Sequence, residues 1–251
     1  GELPSSICEG SSLQLLAGEF NQLVGTIPSC VGLSLTSLTL FDFVSNHLVG
    51  SLPEFAPGSR MEEFDVRRNL LSGTIPASLT NLTSLVSLLL AENTFRGSLP
   101  QFAGAAGKLS DLVLYDNDLT GSLETIFTTA PADTLENVEV RNNRLGGSIP
   151  TSIGLFRQLK SLWAYDNLLT GTVPTEIGHL TALRRFYLSE NRHTGTIPTE
   201  VGNLVSCERF FMDNNLLGGA LPTEFGNMVS VGVIELGFNG LSGAVPTEFG
   251  N

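Results

Sequence analysis

Apolar residues recur along this chain in a pattern that renews itself about every two dozen positions. Reading back from Asn93, leucines stand three, five and eight residues earlier, at Leu90, Leu88 and Leu85. The same spacing precedes Asn117, at Leu114, Leu112 and Leu109, and Asn191, at Leu188, Phe186 and Leu183. The last two apolar residues alternate with period two, which predicts a short strand with those side chains inward and the intervening ones outward. Ten asparagines carry the pattern: Asn21, Asn46, Asn69, Asn93, Asn117, Asn143, Asn167, Asn191, Asn215 and Asn239, spaced 23 to 26 residues apart. A period in the twenties marks a solenoid, so one strand per repeat should stack into a continuous parallel sheet.

Each asparagine follows its strand, where a buried amide can satisfy backbone groups that the bend would orphan. Four residues later comes glycine in every repeat, as in Asn69-Leu-Leu-Ser-Gly73-Thr-Ile-Pro76. Glycine admits unusual backbone angles and proline removes a donor, so this block redirects the chain into an outer segment. That segment reads Pro-Thr-Glu-x-Gly at 174–178, 198–202, 222–226 and 246–250. Its threonine and glutamate suit the start of a short helical or 3-10 turn.

The pattern L-x-x-L-x-L-x-x-N followed by x-x-L-x-G-x-I-P resembles the plant-type class of leucine-rich repeats. That class includes receptor-kinase ectodomains, receptor-like proteins and polygalacturonase inhibitors; the Pro-Thr-Glu-x-Gly form also resembles secreted repeats of algae and diatoms. The resemblance covers nearly the whole chain. It implies an α/β repeat solenoid: an arc with a concave parallel sheet, short lateral strands at the Gly-x-Ile-Pro block and a mostly irregular or 3-10 convex side. In such receptors the ligand lies on the concave or inner lateral surface.

Residues 1–251 are expected to form one leucine-rich repeat domain of about ten repeats, cut within a repeat at both ends: Gly1-Glu-Leu-Pro4 matches Gly25-Thr-Ile-Pro28, and Asn251 stops before a leucine-rich stretch. No stretch approaches the roughly 18 to 20 apolar residues of a membrane span, and no leader opens the chain. Membrane anchoring would thus need segments outside it. Cys8 and Cys30 fall on outer segments of adjacent repeats, within disulfide reach at the spacing of stacked strands; the other reading is two buried thiols. Cys207 takes a core leucine position. Asn81-Leu-Thr83 is an N-glycosylation sequon on an outer segment. Together with the resemblance, these features point to the secretory pathway and the extracellular space or cell surface.

A net charge of −12, with 13 basic residues, argues against nucleic acid, which needs clustered Lys and Arg. Glu176, Glu200, Glu224 and Glu248 should stack as a convex column, read here as solvated rather than metal-binding. No metal or cofactor is implied, and nothing marks an enzyme. His47 and His193 lie six repeats apart, about 30 Å at the stacking distance of strands, His179 stands alone, and no nucleophile, zinc or phosphate-loop motif occurs.

Alternation leaves one unusual surface. The residues four before the asparagine include Trp163, Tyr187 and Phe211 in consecutive repeats, and those two before it include Tyr115 and Tyr165. These predict an exposed aromatic ladder on the concave face, with Arg185, Arg209, Asp166, Asp213 and Glu190 as a polar rim. The leading expectation is a non-catalytic recognition module for a peptide, protein or glycan. The alternative is a structural or adhesive matrix protein. A third reading, ice or mineral binding, comes from the hydroxyl column Thr26, Ser51, Thr74, Ser98, Ser122, Ser148, Thr172 and Thr196. The 26-residue gap before Asn143, with Thr128–Asp133, predicts a protruding loop.

Overall fold

The computed structural model describes residues 1–10, 12–102 and 107–250. Asn251, where the mid-repeat end was expected, lies outside the described residues. Ten three-residue strands, from Leu15–Ala17 to Val233–Glu235, form one parallel sheet in strict chain order. Each pairs with the next in the same register, so every column of the sequence becomes a column in space: Leu162 opposes Phe186, which opposes Phe210. Those middle residues are buried, and with the apolar positions around them they make one continuous core along the solenoid. In this geometry each repeat is stabilised by its neighbours alone.

A residue with positive φ, between 51° and 57°, precedes the asparagine in all ten repeats, although none of them is glycine. Holding an L-residue there costs on the order of 1–2 kcal/mol, and the asparagine supplies the compensation. Asn93 donates from Nδ2 to the carbonyls of Leu90, Ala91 and, one repeat back, Val66, while its Oδ1 accepts the amide of Leu71. The same set recurs at Asn167 and Asn191. The ladder therefore closes each turn and fastens it to the preceding repeat.

After the asparagine, short lateral strands form two five-stranded parallel sheets, one running from Val24–Thr26 to Asp118–Thr120 and the other from Gly146–Gly147 to Gly240–Leu241. The glycine column turns here with φ near +80°, for instance 77° at Gly195. It is also a close approach: a Cβ on Gly195 would lie 2.7 Å from the methyl of Thr172, and one on Gly50 2.9 Å from that of Thr26. The hydroxyl column thus has a packing role against the next repeat's glycine.

Five-residue 3-10 turns such as Thr175–His179 and Thr199–Asn203 line the convex side. The turns start at their threonines with the glutamate next, as expected, although the threonine side chains do not cap them. Proline occupies the capping position, and the Thr175 hydroxyl donates instead to the carboxylate of Glu176, 3.3 Å away. The loop expected at Thr128–Asp133 is narrower than predicted: 130–133 form bend and turn, while Thr128 and Thr129 end a helix. Residues Leu123–Thr129 form an α-helix whose N-cap, Ser122, accepts the amide of Glu124. Where the other repeats carry proline this one has Glu124, so the segment keeps its donors and winds into a helix, and the lateral sheet breaks at that point. A disulfide joins Cys8 to Cys30 across the first two outer segments, with Cα atoms 5.5 Å apart. Among the described residues no helix is long and apolar enough to cross a membrane.

Candidate ligand-binding surface

The parallel register carries Trp163, Tyr187 and Phe211 into one column on the concave face, because they sit beside the inward-facing Leu162, Phe186 and Phe210 on their strands. Ring centroids of Trp163 and Tyr187 are 5.2 Å apart, and Tyr187 stacks on Phe211 at 4.7 Å with 11° between planes. The ladder is less open than alternation predicts. Tyr187, covered on both faces, is only 8% exposed, whereas Trp163 and Phe211 are half-buried.

Beside the ladder the second aromatic column is bridged by a residue that the sequence reading passed over. Arg141 lays its guanidinium 3.6 Å from the centre of the Tyr115 ring and also faces Tyr165 and Trp163 at 5.6 and 5.9 Å. Such cation–π contacts are worth about 0.5–2 kcal/mol each, and the charge is balanced by Asp116 at 3.5 Å. Arginine at this position in an acidic chain, flanked at repeat spacing by Tyr115 and Tyr165, was the signal available. Glu139 lies next to Trp163 in register. Burial pushes its carboxyl above the usual range, with Arg141, Arg67 and Arg185 pulling the other way.

Of the polar rim, Arg185 and Arg209 are exposed and oppose each other on adjacent strands. Asp213 accepts a hydrogen bond from Ser189 and another from Asn214. Glu190 and Asp166 occupy the positive-φ turns and are exposed. Two shallow depressions border the ladder: one of about 300 Å³ lined by Tyr165, Tyr187, Phe211 and Asp213, and one of about 350 Å³ lined by Trp163, Arg185, Tyr187, Glu208 and Arg209.

The opposite half of the concave face is acidic. Asp42, Glu63 and Asp65 bring carboxylate oxygens within 4.8 Å of one another; repeat spacing puts Asp42 and Asp65 in one column, and the structure adds Glu63. Asp65 is clamped by Arg67. Burial and mutual repulsion raise the pKa of Asp42 and Glu63. The convex glutamates form no such group among the described residues.

Elsewhere, Asn81 of the sequon donates its amide to the Phe55 carbonyl at 2.8 Å, so a glycan there would leave one N–H for that bond. His193 is buried at a core position of the lateral strand, His47 is exposed on another, and His179 ends a convex turn. The three do not meet. Cys207 is buried, and burial pushes its thiol up to about 12.

The leucine-rich repeat family model matches residues 60–82 and 182–204. Receptor-like protein 35 of Arabidopsis thaliana is 33% identical over 151 residues, covering 60% of this chain and 16% of that protein. Among solved structures, a TDR receptor superposes with a TM-score of 0.92 at 30% identity, over 99% of this chain and 43% of its own. The Arabidopsis receptor kinase HAESA, in complex with the peptide hormone IDA and the co-receptor SERK1, gives 0.72 at 27%, over 99% and 49%. This chain therefore spans a sixth to a half of these proteins. Its ten-strand parallel register, asparagine ladder and relatives agree: the chain folds as a leucine-rich repeat solenoid, similar to those of plant receptors.

Proposed function

We propose that this chain is an extracellular, non-catalytic recognition module that binds a peptide or protein segment along its concave face. The observation that carries the reading is the contiguous, partly exposed concave-face patch of Trp163, Tyr187, Phe211, Tyr165 and Tyr115, crossed by Arg141 and flanked by Arg185, Arg209 and Asp213. Aromatic and arginine side chains dominate binding hot spots, because they cover much area at little loss of rotamer freedom. The patch lies on a continuous ten-stranded hydrogen-bonded sheet rather than on loops, so little backbone ordering opposes docking. The peptide hormone present in the HAESA complex supports a peptide as the kind of ligand this scaffold accepts. The Cys8–Cys30 disulfide fits an oxidising, extracellular setting.

Selection from a random peptide library displayed on phage tests the reading. Peptides retained by the intact chain should lose at least about tenfold in affinity for a Tyr187→Ala, Phe211→Ala double variant, the scale of hot-spot truncation. Selected peptides that bind both proteins equally would place recognition elsewhere on the molecule.

A further inference from the structure

The second lateral sheet carries one fault in an otherwise uniform column. On the strand Arg192–Gly195 the inward position, Leu or Phe in every other repeat, is His193, and it is fully buried. Nδ1 lies 3.3 Å from the Gly171 carbonyl, and Nε2 has no hydrogen-bond partner among the described residues. Among those residues nothing around the ring offers a counter-charge. Arg192 and Glu190 are exposed, Glu200 is half-buried on the convex turn Thr199–Asn203, and the flanking strands Leu168–Gly171 and Leu216–Gly219 have no ionisable side chain. Cys207 is a buried thiol that burial keeps neutral. A proton on His193 would thus be an unpaired charge in an apolar core, which the closed fold resists.

The strand that bears this ring is the weakly held side of its repeat. Asn215 fastens it by one bond, the His193 amide donating to Oδ1 at 2.9 Å, while Nδ2 of the same side chain holds the carbonyls of Leu188, Met212 and Asp213 on the concave side. Pairing is equally short, at two residues with the strand on either side. His193 is the strand's only buried residue, and the buried Asn191 and Ile197 bound the segment. Few buried contacts and few bonds are what permit a local opening. The concave strands Arg185–Tyr187 and Arg209–Phe211 pair over three residues and carry Phe186 and Phe210 in the core, so they lack this weakness.

We propose that His193 is an acid-operated latch: on taking up a proton its ring leaves the core for water, and the lateral strand Arg192–Gly195 separates from its neighbours while the concave sheet stays paired. The inference is independent of what the concave face binds. Burial lowers the pKa of the closed form, against the Gly171 and Thr170 carbonyls, whereas the opened strand titrates at the ordinary 6.5. The opened population is therefore least above 6.5 and rises as pH falls through it, by up to about tenfold per pH unit. The raised carboxyls of Asp42, Glu63 and Glu139 favour the folded form as pH falls, so they do not mimic the effect.

Amide hydrogen exchange of the full chain, corrected for the intrinsic pH dependence of exchange, tests the latch at pH 7.5 and 5.5. Protection of the amide at position 193 should fall about three- to tenfold at the lower pH, while the amides of Phe186 and Phe210 keep theirs within about twofold. His193→Leu, which restores the residue of the column, should abolish the fall. His47→Leu, at an exposed position of another lateral strand, should leave it in place. Unchanged protection at His193 overturns the inference. So does an equal loss at Phe186 and Phe210, which means that the whole solenoid opens, and so does a loss that persists in His193→Leu.

Discussion

At the scale of single residues, His193 departs most from its column. It occupies the inward position that Leu169 and Leu217 fill on the lateral strands either side, and it is 0% exposed. Nδ1 lies 3.3 Å from the Gly171 carbonyl, and Nε2 has no partner among the described residues. Burial holds its pKa below the ordinary 6.5, with the Gly171 and Thr170 carbonyls opposing. As pH falls the unfolded chain takes up this proton first, so the associated stability is full above about 6.5 and is lost below it. Asp42 and Glu63 work with the opposite sign in a lower window. Their raised pKa values mean that stability falls as pH rises through and above their ordinary 3.8 and 4.5. His193→Leu should therefore stabilise more at pH 5.5 than at pH 8, by up to about 1.4 kcal/mol for a unit of pH. Urea unfolding at the two pH values checks this, and equal gains would contradict it. No sequence pattern distinguishes this histidine from a solvated one except its place two residues after Asn191, the position of Leu71 and Leu169 in other repeats.

At the scale of elements, the repeat was legible because each feature recurs at a fixed offset. The strands follow from L-x-L, the turn from asparagine, and the lateral strand from the glycine block. The Cys8–Cys30 bond between adjacent repeats was legible too, but some details of how one repeat touches another escaped. The glycine column was readable as a bend, yet its second reason, contact with Thr172 or Thr26 one repeat back, needs the stacking distance. The threonine of Pro-Thr-Glu opens its turn as the pattern suggests, but the acceptor that its hydroxyl finds, Glu176, was not legible from composition. Thr128–Asp133 was legible in part: the turn falls at 130–133, but the helix that the loss of proline at Glu124 permits takes in Thr128 and Thr129. Gly195→Ala should destabilise by about 1–3 kcal/mol through positive φ and steric contact. Adding Thr172→Ala should restore part of the loss, because the nearest remaining contact, from Thr172 Cβ, is 3.6 Å. A denaturant-based double-mutant cycle measures it, and strictly additive losses would show that the two columns do not press on each other.

Across the whole molecule, the concave face is divided: acidic from Glu19 through Asp65, aromatic and arginine-bearing from Tyr115 to Phe211. The columns of this patch were visible in the sequence, since alternation assigns Trp163 and Tyr187 to the outer face. Their mutual coverage was not, because ring orientation depends on packing between repeats. Arg141 and the approach of Glu63 to the Asp42 and Asp65 column were missed for the same cause. The lateral face offers an internal control, with Leu216 at 64% exposure on a neighbouring strand of the same repeat array. The most direct test compares the dissociation constant of a library-selected peptide for Phe211→Ser and for Leu216→Ser. Concave docking predicts a loss of at least about tenfold for Phe211→Ser and a change within about twofold for Leu216→Ser, as for surface positions away from a contact. The reverse order, or no loss at Phe211, would contradict it.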